Sequence, residues 1–113
     1  MVEKSPNVAS TGAGQPPEFL LIEHFEPYVG QVFRFEGTDY AIPLLSIISN
    51  DRPLLDWMKR KPFTLIFRAP RQREWMPEGF YRCGAENGPS HTIYVAPIQT
   101  PYPEFQDYQA VFN

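Results

Sequence analysis

The feature that most constrains the fold is a two-residue alternation of apolar side chains, which recurs in several short runs. The run at 63–68 places Phe63, Leu65 and Phe67 at alternate positions, and the run at 108–113 alternates in the same way. Successive side chains of a β-strand point to opposite faces, so this spacing gathers the apolar groups on one face. The alternation therefore predicts an all-β protein with these three residues in its core.

Size and composition agree with a small β domain. The chain has 113 residues, 42% of them apolar, which is enough for one core of modest size. Nine Phe, six Tyr and 13 Pro favour short strands joined by rigid loops, because aromatic residues suit pleated surfaces and proline interrupts helices. Helix is expected to be a minor component.

Six strands are expected, separated by turn signals such as the Gly-Thr-Asp at 37–39 and the Asn-Gly at 87–88. This spacing predicts a small antiparallel meander, closed or nearly closed into a six-stranded barrel, because closure removes exposed strand edges. The last strand would then pair with the strand that begins at Gln31. Pro43 should lie at an edge or a bulge because it lacks a backbone donor. The interior is expected to be filled by Phe33, Phe35, Leu65, Phe67 and Phe112.

The segments before the first strand have a different composition. Residues 1–17 are small, polar and interrupted by Gly and Pro, which predicts a disordered leader. Residues 18–113 are expected to form the single barrel domain. From residue 18 to Tyr28 the apolar spacing approaches 3.6 residues, which predicts a short N-terminal helix that caps the barrel mouth.

The charge distribution is uneven. The net charge is −3, yet residues 59–73 contain six of the ten cations and no acid. Such a segment can steer an anionic partner, but its commonest explanation is a solvated loop and strand edge whose cations pair with neighbouring acids. The six cations are Lys59, Arg60, Lys61, Arg68, Arg71 and Arg73.

Candidate chemistry is sparse. His24, His91 and Cys83 lack the paired short spacing of zinc ligands, so neither a metal nor another cofactor is expected. Cys83 falls in a predicted strand, which favours a buried, inert thiol over a nucleophile. No glycine-rich phosphate loop or serine nucleophile motif is present. The chain is therefore not expected to be an enzyme.

The best candidate site is the basic, proline-bounded loop at 69–78. Trp75 and Met76 are large apolar residues in this loop, and Trp and Arg are enriched at binding hot spots. The alternative is that Trp75 folds back and plugs the barrel end. The excursion at 102–105 is a second candidate with the same alternative. The expected partner-binding residues are Lys59, Arg60, Lys61, Arg71, Arg73, Trp75 and Met76.

Several of these segments together resemble a family of short bacterial proteins described only as a domain of unknown function. The similar segments are 25–34 (Phe-x-Pro-x-x-Gly-x-x-Phe-Arg), 62–68, 79–82, 95–98 and 110–113. The resemblance covers residues 19–113 and differs mainly in the leader and the Arg-Gln-Arg at 71–73. Members sometimes lie beside genes for phage-tail-like proteins, so the resemblance implies a role in assembling such particles. It implies no catalytic residues.

Three functions remain open from the sequence. The first is a non-catalytic structural or protein-interaction module. The second is a single-stranded nucleic-acid binder that uses the basic segment 59–73. The third is a small-ligand carrier or enzyme with a pocket in the barrel. The expected partner is another protein rather than nucleic acid or a membrane, and the absence of a signal-peptide pattern predicts a cytoplasmic location. The oligomeric state is left open.

Overall fold

The computed structural model describes residues 19–49 and 53–113. The predicted leader lies outside these residues. All six predicted strands are present: β1 (Val32–Phe35), β2 (Ala41–Ser49), β3 (Phe63–Pro70), β4 (Gly79–Ala85), β5 (His91–Ile98) and β6 (Phe105–Phe112). The predicted N-terminal helix is instead two short 3-10 turns, Ile22–His24 and Glu26–Tyr28. Pro27 lies within the second turn, and because it lacks a backbone donor and its ring clashes with the preceding turn, an α-helix that begins at Ile22 cannot continue through it.

The six strands form a closed antiparallel barrel in the order β1-β2-β3-β6-β5-β4. The prediction of a closed all-β barrel is confirmed. The predicted simple meander, in which the last strand pairs with the first, is wrong. The strand β6 pairs with β3 and β5, and β1 closes the barrel against β4. The connection at 71–78 is eight residues long, so it is not the tight turn that a β3–β4 hairpin favours. Within it, Met76 is buried in the core.

Two strands turn the corners of the barrel. The strand β2 pairs with β1 up to Pro43 and with β3 from Leu44 onward. In the same way, β5 pairs with β4 up to Val95 and with β6 from Ala96 onward. Strands that switch sheets by a bend are typical of orthogonally packed barrels. Pro43 and Pro97 lie at these two corners, and the expected bulge follows Pro43, between residues 44 and 46.

The two halves of the chain have the same strand arrangement, and each half contains one of the two corners. Each half is a three-stranded meander, β1–β2–β3 or β4–β5–β6, whose middle strand bends at a proline. The first strands of the two halves pair with each other, and so do the third strands. The barrel is therefore two similar meanders joined edge to edge.

The interior is packed with aromatic and aliphatic side chains. Phe33, Phe35, Leu65 and Phe67 are at most 2% exposed, as the alternation predicted. The fifth expected core residue, Phe112, is partly buried and stacks on Phe63 at a ring-centroid distance of 4.6 Å. Each fully buried side chain of this size contributes about 1.5–3 kcal/mol to folding.

One end of the barrel is covered by the 3-10 segment. Phe25 is 1% exposed, and its ring contacts those of Phe63, His91 and Phe112 at centroid distances of 5.6–6.0 Å. We call this the closed end. The predicted cap is thus in place, although it is built from 3-10 turns. Within residues 19–49 and 53–113, no helix is long and apolar enough to cross a membrane.

Candidate functional site

The strand β3 divides the basic segment into two parts. Lys59, Arg60 and Lys61 precede Phe63 at the closed end, whereas Arg71 and Arg73 follow Pro70. Eight strand residues at a rise of about 3.3 Å separate the two groups by roughly 25 Å. The cations predicted to form one binding surface therefore lie at opposite ends of the barrel.

The cation in the middle of β3 is already used within the chain. Arg68 Nε and an Nη donate to the two carboxylate oxygens of Asp107 at 2.8 and 2.9 Å. The guanidinium also lies over the rings of Tyr102 and Phe105 at 5.1 and 5.0 Å. The carboxylate beside it raises the pKa of Arg68 above its ordinary value. Arg68 thus holds the 102–105 excursion against the barrel.

Arg60 has a structural position at the closed end. Its Nε donates to the carbonyl of Asn113 at 3.1 Å, and an Nη donates to the carbonyl of Leu20. Its guanidinium lies over the rings of Phe19 and Phe112 at 4.9 and 5.4 Å. Arg60 therefore joins both ends of the described chain, while Lys59 and Lys61 extend into solvent.

At the other end, Arg71 brings the two candidate loops together. Its backbone N–H donates to the carbonyl of Glu104, and its Nε donates to the carbonyl of Pro103, each at 2.8 Å. A longer bond of 3.4 Å runs from Nη1 to Gln106 Oε1. The loop at 69–78 and the excursion at 102–105, proposed separately from the sequence, are thus parts of one site.

This site is a surface groove of about 700 Å³, at what we call the groove end of the barrel. Apolar groups and uncharged amides or hydroxyls alternate around it, with one cation. The lining residues are Arg71, Trp75, Pro97, Ile98, Gln99, Thr100, Pro101 and Gln106. Such a lining offers hydrogen bonds and apolar contact but no nucleophile with an adjacent base.

Trp75 and Met76 are neighbours in the loop, but the first side chain is exposed and the second is buried. Trp75 is 58% exposed, so the alternative in which it plugs the barrel is wrong. The side chain of Met76 is the one that packs in the core: it is fully buried, and the backbone N–H of Met76 donates to Tyr108 Oη at 2.9 Å. The side chain of Met76 is therefore not accessible to a partner in this conformation. The binding roles of all seven predicted residues stay predictions.

The loop backbone on each side of Met76 is held by phenol hydroxyls. Tyr40 Oη donates to the carbonyl of Glu74 at 3.5 Å, and Tyr81 Oη donates to the carbonyl of Pro77 at 2.5 Å. Burial raises the pKa of Tyr81 and the pKa of Tyr108 above the ordinary phenol value. These hydroxyls therefore stay protonated at neutral pH and act as fixed hydrogen-bonding groups.

The candidate metal and thiol groups lie away from the groove. The rings of His24 and His91 meet edge to face at 5.6 Å at the closed end. In the part of the chain that the structure describes, no three His, Cys, Asp or Glu residues are grouped to hold a metal ion. Cys83 is buried, as predicted, and burial raises its pKa to about 12. It therefore remains a neutral thiol at physiological pH.

A second surface groove, of about 440 Å³, lies at the closed end. Its lining carries no charged side chain and includes the stacked Phe63 and Phe112 together with Ile48 and Val111. Sequence reasoning also missed two exposed aromatic residues, Trp57 (77% exposed) and Phe80 (74%). The alternation around buried Cys83 was a usable signal for Phe80, because it places residues 80 and 82 on the outer face.

Together, the fold and the groove define a small closed β-barrel domain with a surface groove at one end. The chain belongs to the family described as a domain of unknown function (DUF6916), whose model matches residues 20–112. The resemblance expected from the sequence is thereby confirmed, with nearly the expected extent. No curated protein and no solved structure matches the chain.

Proposed function

We propose that this domain is a non-catalytic protein-interaction module that binds an extended segment of another protein in the groove at 71–106. The observation that carries the proposal is the position of Trp75. Its indole is largely exposed beside the groove, while the next residue, Met76, is fixed in the core. A large aromatic group held outward by a rigid backbone loses little conformational entropy on binding, which is a property of hot-spot residues.

The groove lining indicates the chemistry of the partner. Trp75, Pro97 and Pro101 provide an apolar surface for a side chain, and Gln99 and Gln106 provide amide groups for an extended backbone. Arg71 lines the groove and Arg73 lies exposed in the same loop. A segment with an apolar side chain next to a carboxylate would complement both features.

The two alternative functions have less support. Single-strand binding along residues 59–73 requires a continuous cationic track, whereas β3 separates the two cationic groups and Asp107 neutralises Arg68. A ligand pocket inside the barrel requires space, whereas the interior positions are filled by Phe33, Phe35, Leu65 and Phe67.

A pull-down with matched variants tests the proposal. Trp75→Ala and Arg71→Ala should each remove the same identified protein that the unmodified domain captures. Trp57→Ala is the control, since Trp57 is more exposed than Trp75 but lies outside the groove. Loss of capture with Trp57→Ala alone, or retention with both groove variants, would reject the groove as the binding site.

The family resemblance supports a more specific setting, the assembly of phage-tail-like particles. Co-purification of the captured protein with such particles, and a gene position within a tail-like cluster, are the expected results. A partner and a gene neighbourhood unrelated to such particles would reject this setting and leave the groove proposal intact.

A further inference from the structure

The outer face of the sheet formed by β1, β4 and the first part of β5 carries an unusual set of side chains. We call it the β4 face and define it by Arg34, Glu36, Glu78, Phe80, Arg82 and Tyr94, all of which are exposed. Residues 34, 80, 82 and 94 point outward because their neighbours at 33, 35, 83, 93 and 95 are buried. The β4 face does not include the groove or the closed end.

The centre of this face is aromatic. Phe80 and Tyr94 are directly opposite in the β4–β5 ladder, and their rings meet edge to face at a centroid distance of 5.0 Å. Phe80 is 74% exposed and Tyr94 is 44% exposed. A contiguous aromatic patch on an exposed sheet, bordered by charged groups, is characteristic of an interaction surface.

Charges are ordered along the face. Arg82 lies two residues after Phe80, and Glu78 lies two residues before it. Arg34 is beyond Arg82, since it pairs in register with Gly84. Within residues 19–49 and 53–113, the side chains of Arg34 and Arg82 make no hydrogen bond or ion pair. The side of the aromatic pair that holds Arg82 and Arg34 is therefore net positive, although Glu36 lies beside Arg82. The other side is negative through Glu78, whose carboxylate accepts a hydrogen bond from Tyr94 Oη.

This order makes the face complementary to itself. A twofold axis that lies in the interface, passes over Phe80 and runs perpendicular to β4 reverses the direction of β4, so it places Arg82 of one copy opposite Glu78 of the other. The same axis stacks the Phe80 and Tyr94 rings of both copies at the centre. We propose that the β4 face is an isologous dimer interface occupied by a second copy of this chain.

The composition and size of the face favour a second copy over a polyanion or a strongly charged protein. Arg34 and Arg82 are balanced by Glu36 and Glu78, so the surface has no excess charge for steering such partners. The face comprises parts of three strands, which corresponds to an interface at the low end of the specific size range, so we expect the dimer to be reversible.

Sedimentation velocity over a concentration series tests the proposal. The full chain should sediment as a monomer–dimer equilibrium, and Phe80→Asp should raise the dissociation constant by more than about 30-fold because it removes both Phe80 rings and buries two facing carboxylates at the centre of the interface. Val111→Asp is the matched control, since Val111 is an exposed apolar residue on the outer side of β6. It should leave the dissociation constant within about threefold.

Charge reversal in trans gives the sharper test. Arg82→Glu alone and Glu78→Arg alone each create two like-charge contacts across the twofold axis, so each should weaken the homodimer at least tenfold. An equimolar mixture of the two variants restores both opposite-charge contacts and should form a heterodimer about as strong as the original dimer. A chain that stays monomeric at high concentration, or a mixture that fails to associate, would overturn the proposal. Trp75→Ala should not change dimerisation, which keeps this test separate from the groove.

Discussion

The closed end and the groove end of the barrel are built from similar residues that are used in opposite ways. At the closed end, Arg60 donates to backbone carbonyls and covers the rings of Phe19 and Phe112. At the groove end, Arg71 also donates to backbone carbonyls, but the aromatic residue beside it, Trp75, stays exposed. Both ends share a basic-aromatic composition, but Arg60 covers its aromatic neighbours at the closed end, whereas Trp75 at the groove end is 58% exposed.

This difference shows why a basic aromatic segment does not identify a site by itself. Cations and aromatic rings satisfy each other inside a small domain, as Arg60 and Arg68 do. A residue indicates a binding site more specifically when the domain holds its backbone in place while its side chain stays exposed to solvent. Four measurements test the contrast between the two ends.

The largest expected effect separates two neighbours at the groove end. Met76→Ala should lower the free energy of unfolding by about 2–5 kcal/mol, because it leaves a cavity in the core. Trp75→Ala should change it by no more than about 0.5 kcal/mol, because the indole is largely exposed. Urea denaturation of both variants measures these values. Equal destabilisation would mean that Trp75 is a packing residue after all.

The next effect compares two glycines of β4, one near each end. A Cβ at Gly84 would lie 2.3 Å from the carbonyl oxygen of Pro89, so Gly84→Ala must displace the hairpin backbone. The expected cost is about 1–3 kcal/mol. At Gly79 the nearest atom would be Tyr81 Cε2 at 3.9 Å, an ordinary contact, so Gly79→Ala is the control and should be nearly neutral. Thermal unfolding would show a lower Tm for the first variant only.

A smaller effect concerns the cations at the closed end. Arg60→Ala removes hydrogen bonds to the carbonyls of Leu20 and Asn113, and we expect a loss of about 1–2 kcal/mol. Lys59→Ala should stay within about 0.5 kcal/mol, because Lys59 is exposed. Chemical denaturation of both variants measures the two changes in the free energy of unfolding. If both variants were neutral, the structural role assigned to Arg60 would be incorrect.

The smallest effect is a pH dependence. Burial raises the pKa of Cys83 from 9.0 to about 12, so between these values the unfolded chain releases a proton that the folded chain retains. The free energy of unfolding therefore falls as pH rises above 9, by at most about 1.4 kcal/mol per pH unit. Cys83→Ala should flatten this dependence, whereas Tyr108→Phe should remove only the contribution of the buried phenol. An unchanged slope in Cys83→Ala would show that the thiol ionises equally in both states.

The parts of the fold that were predictable from sequence follow from local periodicity. The alternation at 63–68 identified buried Phe63, Leu65 and Phe67, and the proline at 43 indicated the bulge beside it. Pairing between distant strands has no such local signal. The pairing of β6 with β3 instead of β1 is one such case, because it joins residues 63–70 to residues 105–112.

The candidate site was predictable only in part for a related reason. Charge and aromatic content selected a loop that lines the groove, and Trp75 is exposed in it. Composition does not show which cations bind carbonyls of their own chain, so Arg60 and Arg71 were indistinguishable from Lys59 and Arg73. The joining of this loop to the 102–105 excursion through Arg71 is a tertiary contact between segments about 30 residues apart, which no local pattern encodes.

The edge-to-edge joining of two meanders has a consequence for biosynthesis. The ladder between β3 and β6 pairs Phe63 with Phe112, residues about 50 positions apart, so the first half of the chain emerges from the ribosome long before the strand that completes it. Until then, both outer strands of the first meander offer unsatisfied backbone groups to other nascent chains. We therefore expect that, when the concentration of nascent chains is high, two molecules can misassemble by exchanging whole halves.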